Sequence, residues 1–360
     1  MTTCASPTSA AATPANASSS SVADEGLAPV RRWVSAHLFY HDDLDDLLCS
    51  GVRPLIDELA ASGLITGFFF VRYWQGGRHV RLRVLLTDEV GEEAVKGLID
   101  TRIGRFFAVC PSQVIVRRED YLQAAAWMCQ QEFGQRKITI EPLQPNNSIG
   151  YVPYVPEYDR CGGPRGVAAL EPHFMDSSTI AIELIADKPT HGQYTGRALA
   201  MMLLAAAVLI PDLERLTRFF HGSYRNWAAK LWSGDRTRYE RYETQFQQRY
   251  DRQRPQLDDL ARRLLGEAHR PAPDGLDPTS ARWMASVTAL RERLTGLALG
   301  DRGLGTQPLL FQCLHKHNNR LGIGLSEETY LLFLLQRTLA EIADSRPYEP
   351  NERTHHEYEN

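Results

Sequence analysis

The chain has 360 residues, 43% hydrophobic and 23% charged, ordinary values for a folded globular protein able to bury a large core. Its 40 Lys+Arg against 44 Asp+Glu leave a net charge of −4, which disfavours a general nucleic-acid binder but leaves a local basic patch open. The longest apolar run, Ala198 to Ile210, falls short of the ~18 residues a membrane span needs and reads as a buried helix.

Residues 1–28 are mostly Ser, Ala, Thr and Pro, too poor in large apolar side chains to offset their ordering entropy, so they are expected to be disordered. They hold no Lys or Arg and no continuous apolar segment; neither a secretory signal nor a transit peptide is indicated, and the cytoplasm is the default location. The polar tail 346–360 is expected to be disordered too, leaving one domain over 29–345. Cysteines at 4, 49, 110, 129, 161 and 313 form no CxxC and no zinc spacing, and read as free thiols. With GxGxxG, Walker, HExxH and GxSxG motifs absent, no cofactor and no metal are expected.

WVSAHLFY (33–40) has strand character, and residues 42–63 carry helical apolar spacing that ends on Gly63. FFFVRYWQGGRHVRLRV (68–84) reads as a hairpin about Gly76-Gly77. Strand alternation sends Val80, Leu82 and Val84 to one face and His79, Arg81 and Arg83 to the other. If the two glycines form a two-residue loop, Arg72 lies opposite Arg81 on that basic face. Like charges so opposed destabilise a strand pair, so an anion is expected above them. Guanidinium forks match a carboxylate or phosphate. A merely exposed basic face is the competing reading.

A helix is expected near 92–105, with strand material in QVIVRRE and in 137–154. In YVPEYDRCGGPRGVAALEPHFMDSS (154–178), Gly162-Gly163-Pro164 marks a turn preceded by Glu157, Asp159 and Arg160, and Asp176 or Ser177 is placed to cap a following helix. From Ser177 onward the pattern is helical. The arginine- and tyrosine-rich stretch 225–254 has acids interleaved and reads as a solvated helix face. Strands first and helices afterwards predict an α+β fold, an antiparallel sheet in the N-terminal half packed against a mainly helical C-terminal half. In PLLFQCLHKHNNRLG (308–322), Phe311, His315 and Asn319 share one helix face. An imidazole exchanges protons near pH 7, so His315 is the proton-transfer candidate, against the alternative that it only packs.

Taken in order, WVSAHLFYHDDLDDLL, FFFVRYWQGGRHVRLRV, YDRCGGP with EPHFMDSS, and LHKHNNRLG resemble the C-terminal elimination domain of class I lanthipeptide dehydratases and its stand-alone relatives in thiopeptide-type bacteriocin biosynthesis. The resemblance covers roughly 33–342. It implies the elimination half of a split dehydratase, acting on a ribosomal precursor peptide whose Ser or Thr a separate tRNA-dependent protein has glutamylated, with no direct tRNA binding expected of this chain. Loss of glutamate would leave dehydroalanine or dehydrobutyrine.

By the same resemblance, Arg81, Arg83, Arg160 and His315 are the catalytic set, gathered across one cleft. Arg72, His79, Asn319 and Arg320 are expected to bind substrate, and a homodimer is possible. Two departures from the family pattern stand out: Cys161 replaces an aromatic residue before Gly-Gly, and Lys316 replaces Met after the histidine. The resemblance leaves two further functions open: a pyridine synthase joining two dehydroalanines with release of the leader, and a non-catalytic binder of the precursor peptide.

Overall fold

The computed structural model describes residues 31–345 other than 134–137, 233–234, 271–272, 296 and 298–304. The expected disordered segments 1–28 and 346–360 lie outside the described residues. A compact unit begins at Arg32, and all that follows concerns it.

Four strands form one antiparallel sheet: β1 (Trp33–Phe39), β2 (Ile65–Tyr73), β3 (His79–Leu86) and β4 (Ser148–Tyr151), in the order β2-β3-β1-β4. Between β1 and β2 the expected helix is present but interrupted. A short α1 (Leu44–Asp46) runs into a π-helical turn over Leu47–Val52, then α2 (Arg53–Ala61), after whose cap, Ser62, the chain turns away at Gly63 with φ 65°. Pro54 explains the break: its ring has no N–H to give and crowds the carbonyl one turn earlier, so the helix widens. Next come α3 (Glu92–Val109) and α4 (Arg118–Phe133). The strand expected at 113–119 is not formed; its first residues are irregular and the rest open α4. Of 137–154, only β4 is strand.

The short α5 (Tyr158–Cys161) is followed by α6 (Gly163–Ala186), and the bend uses Gly162 and Gly163 at φ 76° and 79° with Pro164 in the first helical turn. Asp176 and Ser177 are not caps, because α6 already runs through them; Ser177 is fully buried and Asp176 accepts a bond from Ser286. The rest is helical: α7 (His191–Leu209), α8 (Leu213–Trp232), α9 (Arg236–Ala268), α10 (Pro278–Thr295), α11 (Thr306–Leu321) and α12 (Leu325–Asp344). The α+β expectation holds.

The sheet is covered on both faces. Val34, Ala36, Leu38, Phe68, Phe70, Val80, Leu82 and Val84 join the main core with the helices. Phe69, on the opposite face, joins a second core with Cys161, Val167, Leu170 and Phe174 from α5 and α6. Cys161, where an aromatic residue was expected, fills this small core at 3% exposure. The five cysteines among the described residues are all free. No helix among them is long and apolar enough to cross a membrane, and no group of their His, Cys, Asp and Glu side chains is placed to hold a metal ion.

Candidate active site

The hairpin register differs from a two-residue loop. Tyr73 pairs with His79, Arg72 with Val80 and Val71 with Arg81, so Arg72 belongs to the face of Val80 and Leu82, not to that of Arg81. The expected Arg72–Arg81 opposition is therefore absent. Arg72 instead forms an ion pair with Asp45 and donates from Nε to the Arg320 carbonyl at 2.8 Å.

The basic face is answered by aromatic rings. Arg81 lies over the Tyr73 ring, its Cζ 3.5 Å from the centroid, and Arg83 sits 4.5 Å from the Tyr154 ring and 5.2 Å from that of Phe69. Stacking on a π face partly compensates a guanidinium for lost water. Burial still pulls Arg83 down to about 10. Its buried Nε has no hydrogen-bond partner among the described residues. His79, at 0% exposure, donates from Nδ1 to the Gly77 carbonyl at 2.8 Å and accepts from Arg81 Nε at 3.3 Å, which defines a neutral tautomer. Burial first, opposed by that bond and assisted by neighbouring cations, holds His79 down near 3. His79 supports Arg81 from within the wall and is out of reach of a substrate.

Beside this sheet face opens a cleft of about 1130 Å³, lined by residues of β2, α4, α8, α11 and the start of α12. Arg72, Arg160, His315 and Asn319 line it, with Tyr73 and Lys316; Arg81 and Arg83 do not. The expected catalytic set is thus brought together only in part: Arg81 stacks on Tyr73, which lines the cleft, whereas Arg83 stacks on Tyr154, which does not. One corner holds a carboxylate of the chain itself. Glu157 Oε2 lies 2.7 Å from Lys316 Nζ, and Oε1 lies 3.7 Å from the Arg160 guanidinium. Burial alone would raise Glu157, but Lys316, Arg160 and Arg83 together hold it below the usual carboxylate range.

Asn319 and Arg320 have a different task from the one expected. β2 is an edge strand, and its open edge carries backbone groups that need partners. The Asn319 amide accepts from Arg72 N at 2.9 Å and donates to Arg72 O at 3.0 Å, imitating a paired strand. Arg320, at 0% exposure, donates from Nε to Phe70 O at 3.0 Å and from Nη1 to Ser177 Oγ at 3.1 Å. Ser178 Oγ takes the Phe70 N–H at 3.2 Å. Arg320 is therefore a buried clasp, not a substrate contact, and Asn319 spends its amide fixing α11 to the sheet.

That clasp sets His315, one turn before Asn319 on the same face of α11. Its Nδ1 lies 2.8 Å from Glu328 Oε2 on α12, and its ring meets Trp227 edge to face at 5.2 Å. Glu328 is 1% exposed and also accepts from Trp227 Nε1 and Asn318 Nδ2, each at 3.1 Å. Sequence reading misses Glu328: as one of two acids in the first turn of α12, it looks like an ordinary helix-start residue.

A family model described as lantibiotic biosynthesis dehydratase C-term matches residues 33–339. Among curated proteins, none matches the chain. Among solved structures, a pyridine synthase, TbtD, from thiomuracin biosynthesis is similar with a TM-score of 0.73 at 22% identity, over 87% of this chain and 99% of that one. TsrL follows with a TM-score of 0.60 at 16% identity, over 87% and 96%. The tRNA-dependent lantibiotic dehydratase MibB from Microbispora sp. 107891 gives a TM-score of 0.48 at 19% identity, over 88% of this chain but 28% of its own. At these identities the likeness concerns the fold.

Proposed function

The chain belongs to the lantibiotic biosynthesis dehydratase C-terminal family, and within it we propose that this member removes glutamate from glutamylated Ser or Thr of a ribosomal precursor peptide. One observation carries the reading. In the cleft that His315 also lines, Arg160 of α5 and Lys316 of α11 already hold a carboxylate, that of Glu157. An incoming glutamyl group can take over those cations.

His315 then removes the α-proton, that electron pair forms the Cα=Cβ bond, and the Cβ–O bond breaks to release glutamate as a carboxylate. Negative charge grows on the departing oxygen as the bond breaks, so cations held there stabilise the transition state more than the bound ester. Arg81 acts from behind Tyr73 and Arg83 from further along the same sheet face, keeping that side of the cleft positive. The precursor peptide and a separate glutamylating protein are the partners this chemistry requires.

The cleft also favours a second reading. At about 1130 Å³, with Trp74, Trp227 and Trp232 in its walls, it has room for more than one modified side chain, as the joining of two dehydroalanines would need. The two are separated by supplying a chemically glutamylated peptide and measuring free glutamate over time. Glutamate release with a shift to the dehydrated mass supports elimination. An unchanged peptide rejects it.

A further inference from the structure

We infer that Glu328 is a positioning residue that holds His315 as its Nδ1–H tautomer and leaves Nε2 as the base facing the cleft. The argument starts from cost. A carboxylate at 1% exposure gives up its hydration, a loss of several kcal/mol unless hydrogen bonds replace it. Three donors converge on Glu328: the indole N–H of Trp227 and the amide of Asn318 at 3.1 Å each, and the imidazole of His315 at 2.8 Å.

Trp227 has only a donor to give, so its bond requires an acceptor oxygen on Glu328. Facing an ionised carboxylate, Nδ1 must carry its hydrogen. Glu328 is not needed merely as an acid at the start of α12, because the adjacent Glu327 already stands there, paired with His191 at 3.0 Å.

The ring cannot turn freely either. Trp227 closes on it edge to face, and the Asn319 clasp anchors α11 one turn later. Among the described residues, Nε2 has no hydrogen-bond partner, and the imidazole, 32% exposed, lines the cleft. In the reaction, Nε2 takes the α-proton as the Cα=Cβ bond forms and glutamate departs. Glu328 stabilises the resulting imidazolium across the Nδ1–H bond, and the proton on Nε2 then passes to solvent or to the departing glutamate. Buried as it is, Glu328 acts through His315.

The inference rests on the elimination reading for its kinetics but not for its geometry, and the test has an arm for each. Nitrogen-15 shifts of the His315 ring in the wild-type protein, assigned by their loss in His315→Gln, should report hydrogen on Nδ1. Hydrogen on Nε2 in the neutral ring overturns the assignment, whatever the reaction proves to be. In Glu328→Gln, single-turnover glutamate release should fall about 100-fold or more, the scale of a general-base contribution, with peptide affinity unchanged and the two tautomers mixed. A normal rate in folded Glu328→Gln overturns it as well. If this variant does not fold, the wild-type tautomer alone decides. If wild-type protein releases no glutamate, the elimination reading fails and the tautomer still judges Glu328.

Discussion

In the proposed elimination, His315 is the residue on which the chemistry turns, and its neighbours on α11 divide sharply in role. His315→Ala should slow glutamate release about 10²- to 10⁴-fold while peptide binding holds, with a loss of thermal stability limited to the one donor taken from Glu328, which keeps those of Trp227 and Asn318. If the ring only packs, the same change should lower the unfolding temperature and leave turnover intact; unfolding and single-turnover assays on one preparation separate these outcomes. The arginines pose a different test. Arg81→Lys keeps the charge but loses the planar stack on Tyr73 and the Nε bond to His79, so elimination should weaken although the substitution is conservative. Near-normal turnover in both Arg81→Lys and Arg83→Lys would confine these residues to supporting the sheet. How they point was legible in part. Alternation placed Arg81 and Arg83 on one face, but the register that moves Arg72 to the other depends on the hairpin loop, and paired glycines alone do not fix its length.

The join between α11 and β2 links structure to chemistry at the scale of elements. Asn319→Ala strips two bonds from the Arg72 backbone and leaves an N–H and a carbonyl of an edge strand unpaired, at about 1–3 kcal/mol for each buried group left unsatisfied. Stability should drop, and glutamate release should drop further than stability explains, because His315 rides on the same helix. Unfolding curves and rates measured together test this; an unchanged rate would uncouple the clasp from the site. Sequence spacing showed that His315 and Asn319 share a helix face. It gave no means of seeing that this face docks on a strand edge some 247 positions earlier in the chain. The start of α6 is placed too late by the sequence for a similar reason: Asp176 and Ser177 look like caps of a helix that follows them, yet Ser177 and Ser178 bond to groups of other elements within a continuous helix.

Across the whole molecule, buried imidazoles set how the fold answers acid. Burial, aided by nearby arginines, holds His37 down to about 4 and His173 down to about 3, and His79 lies near 3. Each stays neutral in the fold but takes a proton once unfolded below the ordinary value of 6.5. The unfolded state therefore binds more protons between the two values, and stability falls as pH drops through that window. Each histidine costs about 1.4 kcal/mol per pH unit there. The unfolding temperature should be steady above about pH 7 and fall steeply toward about pH 5; a flat profile over that range would mean these rings protonate without loss of the fold.

The layered α+β plan was readable from the order of strands and helices. The cleft was not, since its walls come from α4, α8, α11, α12 and β2 and no local pattern ties them together. The same cleft bears the central claim. The chain alone should leave an unmodified precursor peptide unchanged, as nothing in it resembles a glutamyl transferase. The most direct measurement presents the purified protein separately with a glutamylated peptide and with a dehydroalanine-containing peptide, and follows both by mass. Elimination at this site predicts free glutamate and a dehydrated product from the first, with the second untouched. An inert first peptide and an intact leader freed from the second would contradict the account.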